Sequence, residues 1–306
     1  MTRRLARQMV RDARDMSIKA VASRHGVSWW LAMTTVRSWS ERIEAHRRRR
    51  RCRVLLVDET SLRRRHRYVT VISDGETGAV LAVVRHRDAK ALGRFLDAQG
   101  PVWRRHVQVV VSDGSKAYRA AIGRWLPDAR HVLDRFHVAR WFTRGVVEVR
   151  RRIQRVGPPG ARPAFDPDVF RSRYLQLIRY DRLTDTQAAR VGRVLADHPE
   201  LEQAWRMLQH LYGIHLAATD ADANQALGAF LDLWQQHQIA EFLPTIDALI
   251  EWADEIFNFH DCDRITNGRL EGTNNKLGVL KRVAYGFVNT HNFAARAILI
   301  TPGVPS

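Results

Sequence analysis

The chain has 306 residues, 45% of them apolar, which is enough for one large domain or two ordinary domains with a true core. Its 50 Lys and Arg against 32 Asp and Glu give a net charge of +18, which favours a polyanionic partner; a basic protein without a special partner is the plainer alternative. The two cysteines, Cys52 and Cys262, exclude a disulfide framework and a Cys-rich zinc module, and no apolar run approaches the ~20 residues of a membrane span. The basic start lacks the apolar stretch of a signal peptide, so we expect a cytoplasmic protein.

Residues 1 to 45 are predicted to be helical and to contain a helix-turn-helix. The stretch SIKAVASRHGVSWWLAMTTVRSW has two apolar-periodic segments that are interrupted at Gly26. Glycine supplies the left-handed backbone of the turn, and Ser28 is a suitable N-cap for the second helix. The start of the second helix is the part of this motif that contacts DNA bases, so Ser28 and Trp29 are candidate DNA contacts. A plain helical hairpin is the alternative.

The run HRRRRRCR, residues 46 to 53, is predicted to be a basic linker. Like charges repel one another and keep such a run in water. Between a DNA-binding domain and a second domain, the run can also follow a phosphate backbone or enter a minor groove. Arg47, Arg48, Arg49 and Arg50 are therefore candidate DNA contacts.

From residue 53 the pattern changes to that of a mixed α/β sheet. Three β-rich runs, RVLLVDETSL, RYVTVISD and GAVLAVVRHR, are separated by turn residues such as Asp74 and Gly75. A helix, the strand VQVVVSD, a second helix, the short strand RHVLD and a long helix follow. The order β-β-β-α-β-α-β-α is that of a ribonuclease H-like fold.

An all-helical insertion is predicted after a break rich in Pro and Gly at residues 156 to 168. From about residue 169 to 262 only helical patterns occur, with helix starts marked by Thr184, Pro199 and Pro244. The tryptophans of this block lie in apolar stripes, which favours the core over contact with DNA bases. They are Trp205, Trp234 and Trp252, of which Trp252 is the best candidate for stacking on a base.

Two aspartates stand near the ends of apolar strands. Asp58 lies in VDETS, and Asp113 ends VVVSD just before a glycine and a helix start. Strand ends are where sites form in α/β sheets, and a buried carboxylate is costly unless it is paired, hydrogen-bonded or metal-bound. Either aspartate alone is more simply a cap, but the two together favour a shared Mg²⁺ site. Because neighbouring strand residues face opposite sides, Glu59 is expected to point away from Asp58.

A third carboxylate is needed to hold a second ion in two-metal phosphoryl transfer, and Glu271 is the candidate. It belongs to NGRLEGTNNK, residues 267 to 276, in a predicted helix with a leucine stripe. An acidic residue in the first turn is also favourable simply because of the helix dipole. Glu251 and Glu255 are rivals, but they lie in an ordinary amphipathic helix.

These blocks together resemble the bacterial insertion-sequence transposases of the DDE superfamily. The resemblance is carried by VDETS, YVTVISD, VVVSDGSKAY, LPDARHVLDRFHVAR, NGRLEGTNNK and YGFVNTHNFAARAIL, and it runs from about residue 53 to 300. More narrowly, the chain is similar to the IS-L-three group, which has an all-helical insertion before the final Glu. Members of that group usually carry a Cys-rich zinc ribbon ahead of the helix-turn-helix. None is found here, so we expect a shortened copy or a misplaced start.

The resemblance implies that Asp58, Asp113 and Glu271 are catalytic and hold two Mg²⁺ or Mn²⁺ ions. It also implies a role for DRFH, because related transposases carry a Cys/Asp-x-x-His signature that Asp134 and His137 match. A hydrogen-bonded structural histidine is the alternative for His137.

The implied function is strand cleavage and strand transfer at the ends of an insertion sequence. The partners would be double-stranded DNA, as element ends and target, and further copies of the chain on that DNA, within the nucleoid. Basic residues after the Glu would line up with phosphates; they are Lys276, Lys281 and Arg282. A DNA-binding regulator and a ribonuclease H-like nuclease without transposition are the alternatives.

The predicted organisation divides the chain into five segments. They are a helix-turn-helix at 1–45, a basic linker at 46–52, a ribonuclease H-like catalytic core at 53–155, the helical insertion at 156–262 and the second part of the core at 263–306. On this view, DNA recognition resides in residues 1 to 52, and these residues can be removed without harm to the catalytic fold.

Overall fold

The structure is a computed structural model that describes residues 1–63, 67–154 and 166–302. The chain divides into two compact units. We call Met1–Asp134 with Ile265–Ser306 the sheet unit, and Arg135–Arg264 the helical unit. Among the described residues, no helix combines the length and the apolar character needed to cross a membrane.

The sheet unit begins with three helices that have the predicted turn. They are α1 (Arg3–Asp12), α2 (Ile18–Arg24) and α3 (Trp29–Arg49). Gly26 has a φ of +60°, the left-handed conformation that a glycine adopts without strain. The Ser28 hydroxyl accepts a hydrogen bond from the Leu31 amide at 3.1 Å, so it caps α3 as predicted. Because α3 continues to Arg49, the first half of the predicted linker is helical.

A five-stranded mixed sheet forms the centre of this unit, as predicted. Its strands are β1 (Val54–Arg63), β2 (Arg67–Asp74), β3 (Val80–Arg85), β4 (Val109–Ser112) and β5 (Arg130–Leu133). Their order is β3-β2-β1-β4-β5. The β1–β2 and β2–β3 pairs are antiparallel, whereas the β1–β4 and β4–β5 pairs are parallel. The central strand β1 therefore joins the antiparallel half of the sheet to the parallel half.

One face of the sheet packs against two helices, α4 (Ala89–Arg104) and α5 (Lys116–Trp125). Alternate residues of β1, Leu55 and Val57, are buried in this cluster with Tyr118 of α5. The Tyr118 hydroxyl is hydrogen-bonded to the Thr70 hydroxyl at 2.8 Å, which satisfies both buried polar groups.

The last two helices complete the sheet unit. They are α13 (Gly268–Val283), which packs against β1, and α14 (Thr290–Leu299), which packs against both α3 and β3. Arg47 ties these elements together, since its buried guanidinium donates to Val80 O at 2.8 Å and to Thr301 O at 3.0 Å. The three N-terminal helices are therefore part of the same packed body as the sheet.

The helical unit contains α6 (Arg135–Ile153), α7 (Pro167–Arg171), α8 (Asp185–Asp197), α9 (Pro199–Leu216), α10 (Asp220–His237), α11 (Leu243–Glu251) and α12 (Ala253–Asp261). Helix α9 packs against α6 and α10, and Trp252 is 3% exposed, which confirms its place in the core. Two predicted helices are shorter than expected. The one near residue 170 ends at Arg171 and gives way to two 3-10 turns, and the one starting at Pro244 breaks at Trp252. Most of the predicted Pro- and Gly-rich break lies outside the described residues.

Candidate active site

The two predicted aspartates lie on neighbouring parallel strands of the sheet unit. Asp58 is in β1, and Asp113 directly follows β4. The pairing of these strands ends with Leu56 opposite Val111, and Asp58 and Asp113 each follow two residues later. Since paired strands lie ~4.8 Å apart, both carboxylates belong to one edge of the sheet.

The negative charge of this cluster also affects the pKa of the Tyr118 phenol. Burial raises the pKa of Tyr118, and the charges of Asp113, Glu59 and Asp58 act in the same direction. The three carboxylates therefore influence one buried group beneath this edge of the sheet. Asp113 additionally accepts a hydrogen bond from the Ser115 amide at 3.2 Å, so it also shapes the turn that leads into α5.

The Asp58 carboxylate has a fixed orientation. Its Oδ2 accepts a hydrogen bond from Asn274 Nδ2 of α13 at 2.7 Å, and its Oδ1 accepts one from the Glu59 amide at 2.8 Å. Glu59 itself is paired with Arg87 at 3.2 Å, next to the start of α4. The prediction that Asp58 and Glu59 point to opposite sides of β1 is thus confirmed by their partners.

A second asparagine anchors the start of α13. The backbone amide of Asn267 donates to Asp134 Oδ1 at 3.2 Å, and its side-chain amide donates to Val57 O at 3.2 Å. Asp134 follows β5, and its own amide donates to Ser112 O at 2.8 Å. Asp134 therefore links the end of the sheet to α13. Within the described part of the chain, Oδ1 of both Asn267 and Asn274 has no hydrogen-bond partner.

Glu271 lies between these two asparagines on α13. Residues spaced at i, i+4 and i+7 share one side of a helix, so Glu271 is on the side that meets β1 through Asn267 and Asn274. Its side chain is exposed at the rim of this contact. Among the described residues, no three acidic, His or Cys side chains are gathered closely enough to hold a metal ion. The oxygen donors of Asp58, Asp113 and Glu271 nevertheless have the chemistry that Mg²⁺ prefers.

The sequence suggested the carboxylates as site residues but assigned no role to the asparagines. Asn274 lies one turn beyond Glu271 and Asn267 one turn before it, a spacing that could have identified both residues. The remaining predicted site residue, His137, is half-buried in the first turn of α6 in the helical unit. The rivals Glu251 and Glu255 also belong to the helical unit, in α11 and α12.

The predicted DNA contacts differ in their exposure. Trp29 is 46% exposed at the start of α3, and the side chains of Arg49, Arg50, Lys276 and Arg282 are exposed as well. Arg48 is paired with Glu44 one turn away.

Two of the predicted contacts are held within the fold. Arg47 is 3% exposed and donates to the backbone of β3 and of residues 301 and 302. Lys281 donates to the Thr60 hydroxyl at 3.2 Å and to Ser61 O at 2.8 Å, and burial lowers its pKa. We therefore remove Arg47 and Lys281 from the set of proposed phosphate contacts.

The fold and the carboxylates at one sheet edge, together with a capped helix-turn-helix, define a class of enzymes that act on DNA. The profile of a family described as "Transposase" matches residues 55–297. A second profile, described as "Helix-turn-helix domain of transposase family ISL3", matches residues 1–39. The chain belongs to the ISL3 family of transposases, as the sequence resemblance predicted, and its helix-turn-helix marks it as DNA-binding.

Curated relatives agree with this assignment. The chain is 26% identical over 317 residues to the transposase for insertion sequence element IS1557 of Mycobacterium tuberculosis, in the strains CDC 1551 / Oshkosh and ATCC 25618 / H37Rv. That match covers 93% of this chain and 68% of the relative. The transposase for insertion sequence element IS1001 of Bordetella parapertussis is 27% identical over 306 residues, covering 99% of this chain and 74% of the relative.

Proposed function

We propose that this chain cleaves DNA strands at the ends of an insertion sequence and transfers the resulting 3′ ends into target DNA. The observation that carries the proposal is the contact between Asn274 and Asp58, because it brings the side of α13 that bears Glu271 to the edge of the sheet that bears Asp58 and Asp113. In this proposal the sheet unit is a ribonuclease H-like catalytic core, and copies of the chain act together on double-stranded DNA in the nucleoid.

Asp58, Asp113 and Glu271 are the proposed holders of Mg²⁺ or Mn²⁺, two ions in all. When bound, such ions activate an attacking oxygen and stabilise the leaving 3′ oxygen of a phosphodiester. The chain's own contribution is positioning. Asn274 fixes the Asp58 carboxylate, and Asn267 fixes the start of α13 against β1. Because Glu271 is exposed at the rim, we expect bound DNA and metal to draw it toward the two aspartates.

The proposed DNA contacts follow from exposure and charge. Lys276 and Arg282 are exposed on α13 and are available to DNA phosphates. Arg48, Arg49 and Arg50, at the end of α3, extend the basic surface. With a net charge of +18, binding should weaken steeply as salt rises, because phosphate contacts release counterions. We also propose that Asp134 and His137 take part in catalysis, on the basis of the DRFH signature.

A nicking assay on labelled element-end DNA tests the proposal. We expect Asp58→Ala, Asp113→Ala and Glu271→Ala each to lose nearly all Mg²⁺- or Mn²⁺-dependent cleavage, without additivity, because the three groups act as one unit. DNA binding should persist in all three variants. Glu59→Ala is the matched control and should still cleave, since Glu59 pairs with Arg87 away from Asp58; His137→Ala should cost less than any triad variant.

The same assay separates the alternatives. A parent protein that binds DNA but does not nick it is a regulator. Nicking without joining of 3′ ends identifies a nuclease. Normal cleavage by all three triad variants would rule out this catalytic assignment.

A further inference from the structure

A cavity of about 650 Å³ opens between the helix-turn-helix and the loop that connects α13 to α14. On one side it is lined by the start of α3, including Trp29 and Trp30, and on the other by Tyr285 and Phe287. Its volume is within the range of roughly 300–1,000 Å³ that holds small organic ligands. All of its walls belong to the sheet unit.

The aromatic rings at the mouth of this cavity are unusually accessible. Trp30 is 66% exposed and Tyr285 is 94% exposed. Tyr285 has a φ of +55°, a left-handed conformation that is unfavourable for a non-glycine residue. The end of α13 holds it there, since the next amide, that of Gly286, donates to Lys281 O at 2.8 Å. The fold thus maintains a strained residue whose ring faces solvent.

The charged residues that line the cavity are all basic, although the nearby Asp15 acts on Arg296. Lys19, Arg37 and Arg296 line it, and none of the described residues in its walls is acidic. Arg296 is fully buried, and its Nη2 donates to Met16 O at 2.8 Å. Its Nε and Nη1, and Oδ1 of Asn292, have no hydrogen-bond partner within the part of the chain that the structure describes. Buried polar groups are costly to leave unpaired unless a ligand or water meets them.

We propose that this cavity binds one unpaired nucleobase of the DNA held by the helix-turn-helix; the proposal rests on the DNA-binding function proposed above. A nucleobase has a flat face that stacks on aromatic rings, and its edge carries both hydrogen-bond donors and acceptors. Those features match the exposed rings and the unpartnered Arg and Asn atoms behind them. The attached phosphates would meet Lys19 and Arg37. A second copy of this chain is a poorer occupant, because two surfaces of the same positive sign repel one another.

The test compares the affinity of the full chain for a short labelled duplex with its affinity for the same duplex carrying one bulged 2-aminopurine. We expect the parent to prefer the bulged duplex about tenfold, because a base stacked on aromatic side chains adds to the affinity. The fluorescence of the 2-aminopurine should fall on binding. Trp30→Ala and Tyr285→Ala should each abolish the preference, whatever they do to duplex binding itself.

The control is Tyr174→Ala, which removes a tyrosine that is 68% exposed in the helical unit and should keep the preference. Circular dichroism establishes that each variant is folded. Equal affinity for an abasic bulge would overturn the proposal, because DNA flexibility would then explain the preference. An unchanged preference in Tyr285→Ala would also overturn the proposal. If light scattering then shows that this variant differs from the parent in molar mass, the cavity is an interface between copies of the chain. A parent that binds both duplexes equally overturns the cavity proposal alone, whereas one that binds neither overturns the proposed function as well.

Discussion

Asn274 is the side chain that fixes the Asp58 carboxylate from the neighbouring helix, at a distance of 2.7 Å between Nδ2 and Oδ2. Groups that orient a metal-binding carboxylate typically contribute 10–100-fold to metal affinity or activity. We expect Asn274→Ala to slow nicking by about that factor and to raise the Mg²⁺ concentration needed for half-maximal binding, which calorimetry on the DNA-free protein measures.

The neighbouring Asn275 supplies a matched control, because it is exposed on the same helix. Asn275→Ala should behave like the parent. Equal losses in the two variants would show that α13 tolerates neither change for structural reasons, and the positioning role would be abandoned.

At this scale the sequence identifies carboxylates more readily than the amides that hold them. Asp58 and Asp113 stand out because a charge after an apolar strand needs an explanation, and Glu271 stands out because its segment holds no other acid. An asparagine carries no charge, so the cost of burying it is not visible in the sequence. Arg47 shows the opposite difficulty. Within a run of arginines, the sequence does not show directly which side chain faces inward. Helical spacing could have indicated it, because Val36, Ser40, Ile43 and Arg47 form one buried stripe of α3.

Among the secondary-structure elements, the strands and most helices lie where the hydrophobic period and the turn residues of the sequence predicted them. The break at Trp252 could not be predicted in this way. No Pro or Gly marks it, and the apolar pattern continues through it. The cause is tertiary: Trp252 is buried against Trp141, with ring centroids 6.4 Å apart, and its backbone leaves the helical conformation at φ −118° and ψ 23°. A local pattern does not encode such a contact.

Helix α6 is held close to its neighbour by a glycine. A Cβ added at Gly145 would lie 2.6 Å from the ring of Phe242, which is fully buried. We expect Gly145→Ala to destabilise the helical unit, because overpacking costs ~1–3 kcal/mol and the better helix propensity of Ala returns at most ~1 kcal/mol.

Gly192 in α8 is the control for this substitution, since an added Cβ there meets nothing within 4 Å. Gly192→Ala should therefore be neutral or stabilising by up to ~1 kcal/mol. Urea unfolding followed by circular dichroism measures both. A more stable Gly145→Ala protein would mean that α6 and the Phe242 segment are less tightly packed than the structure shows.

In the molecule as a whole, the N-terminal helices and the sheet belong to one compact unit, whereas the sequence suggested a separate DNA-binding domain. Helix α3 packs on α14 and on β3, and Arg47 completes the contact. We expect a chain that lacks residues 1–52 to lose cooperative unfolding, because that deletion exposes the covered faces of α14 and β3 to water. Arg47→Ala should cost the full chain ~1–3 kcal/mol, since it leaves buried carbonyl groups without donors.

Thermal unfolding and limited proteolysis check this expectation. Arg49→Ala is the matched control, as an exposed residue of the same run, and should stay within ~0.5 kcal/mol of the parent. If the truncated protein unfolds cooperatively near the melting temperature of the parent, the N-terminal helices are a separate DNA-binding domain and the core folds independently of them.

The contacts of Arg47 also determine when, during synthesis, the N-terminal helices can become anchored. Two of its acceptors, Thr301 O and Pro302 O, are 254 and 255 positions later in the chain. A growing polypeptide therefore has its DNA-reading helix long before it has the residues that hold that helix in place. Contacts between such distant segments form late and slowly in folding. A nascent product that stops before α14 would carry the helix-turn-helix without this support, and we expect such a product to bind DNA less firmly.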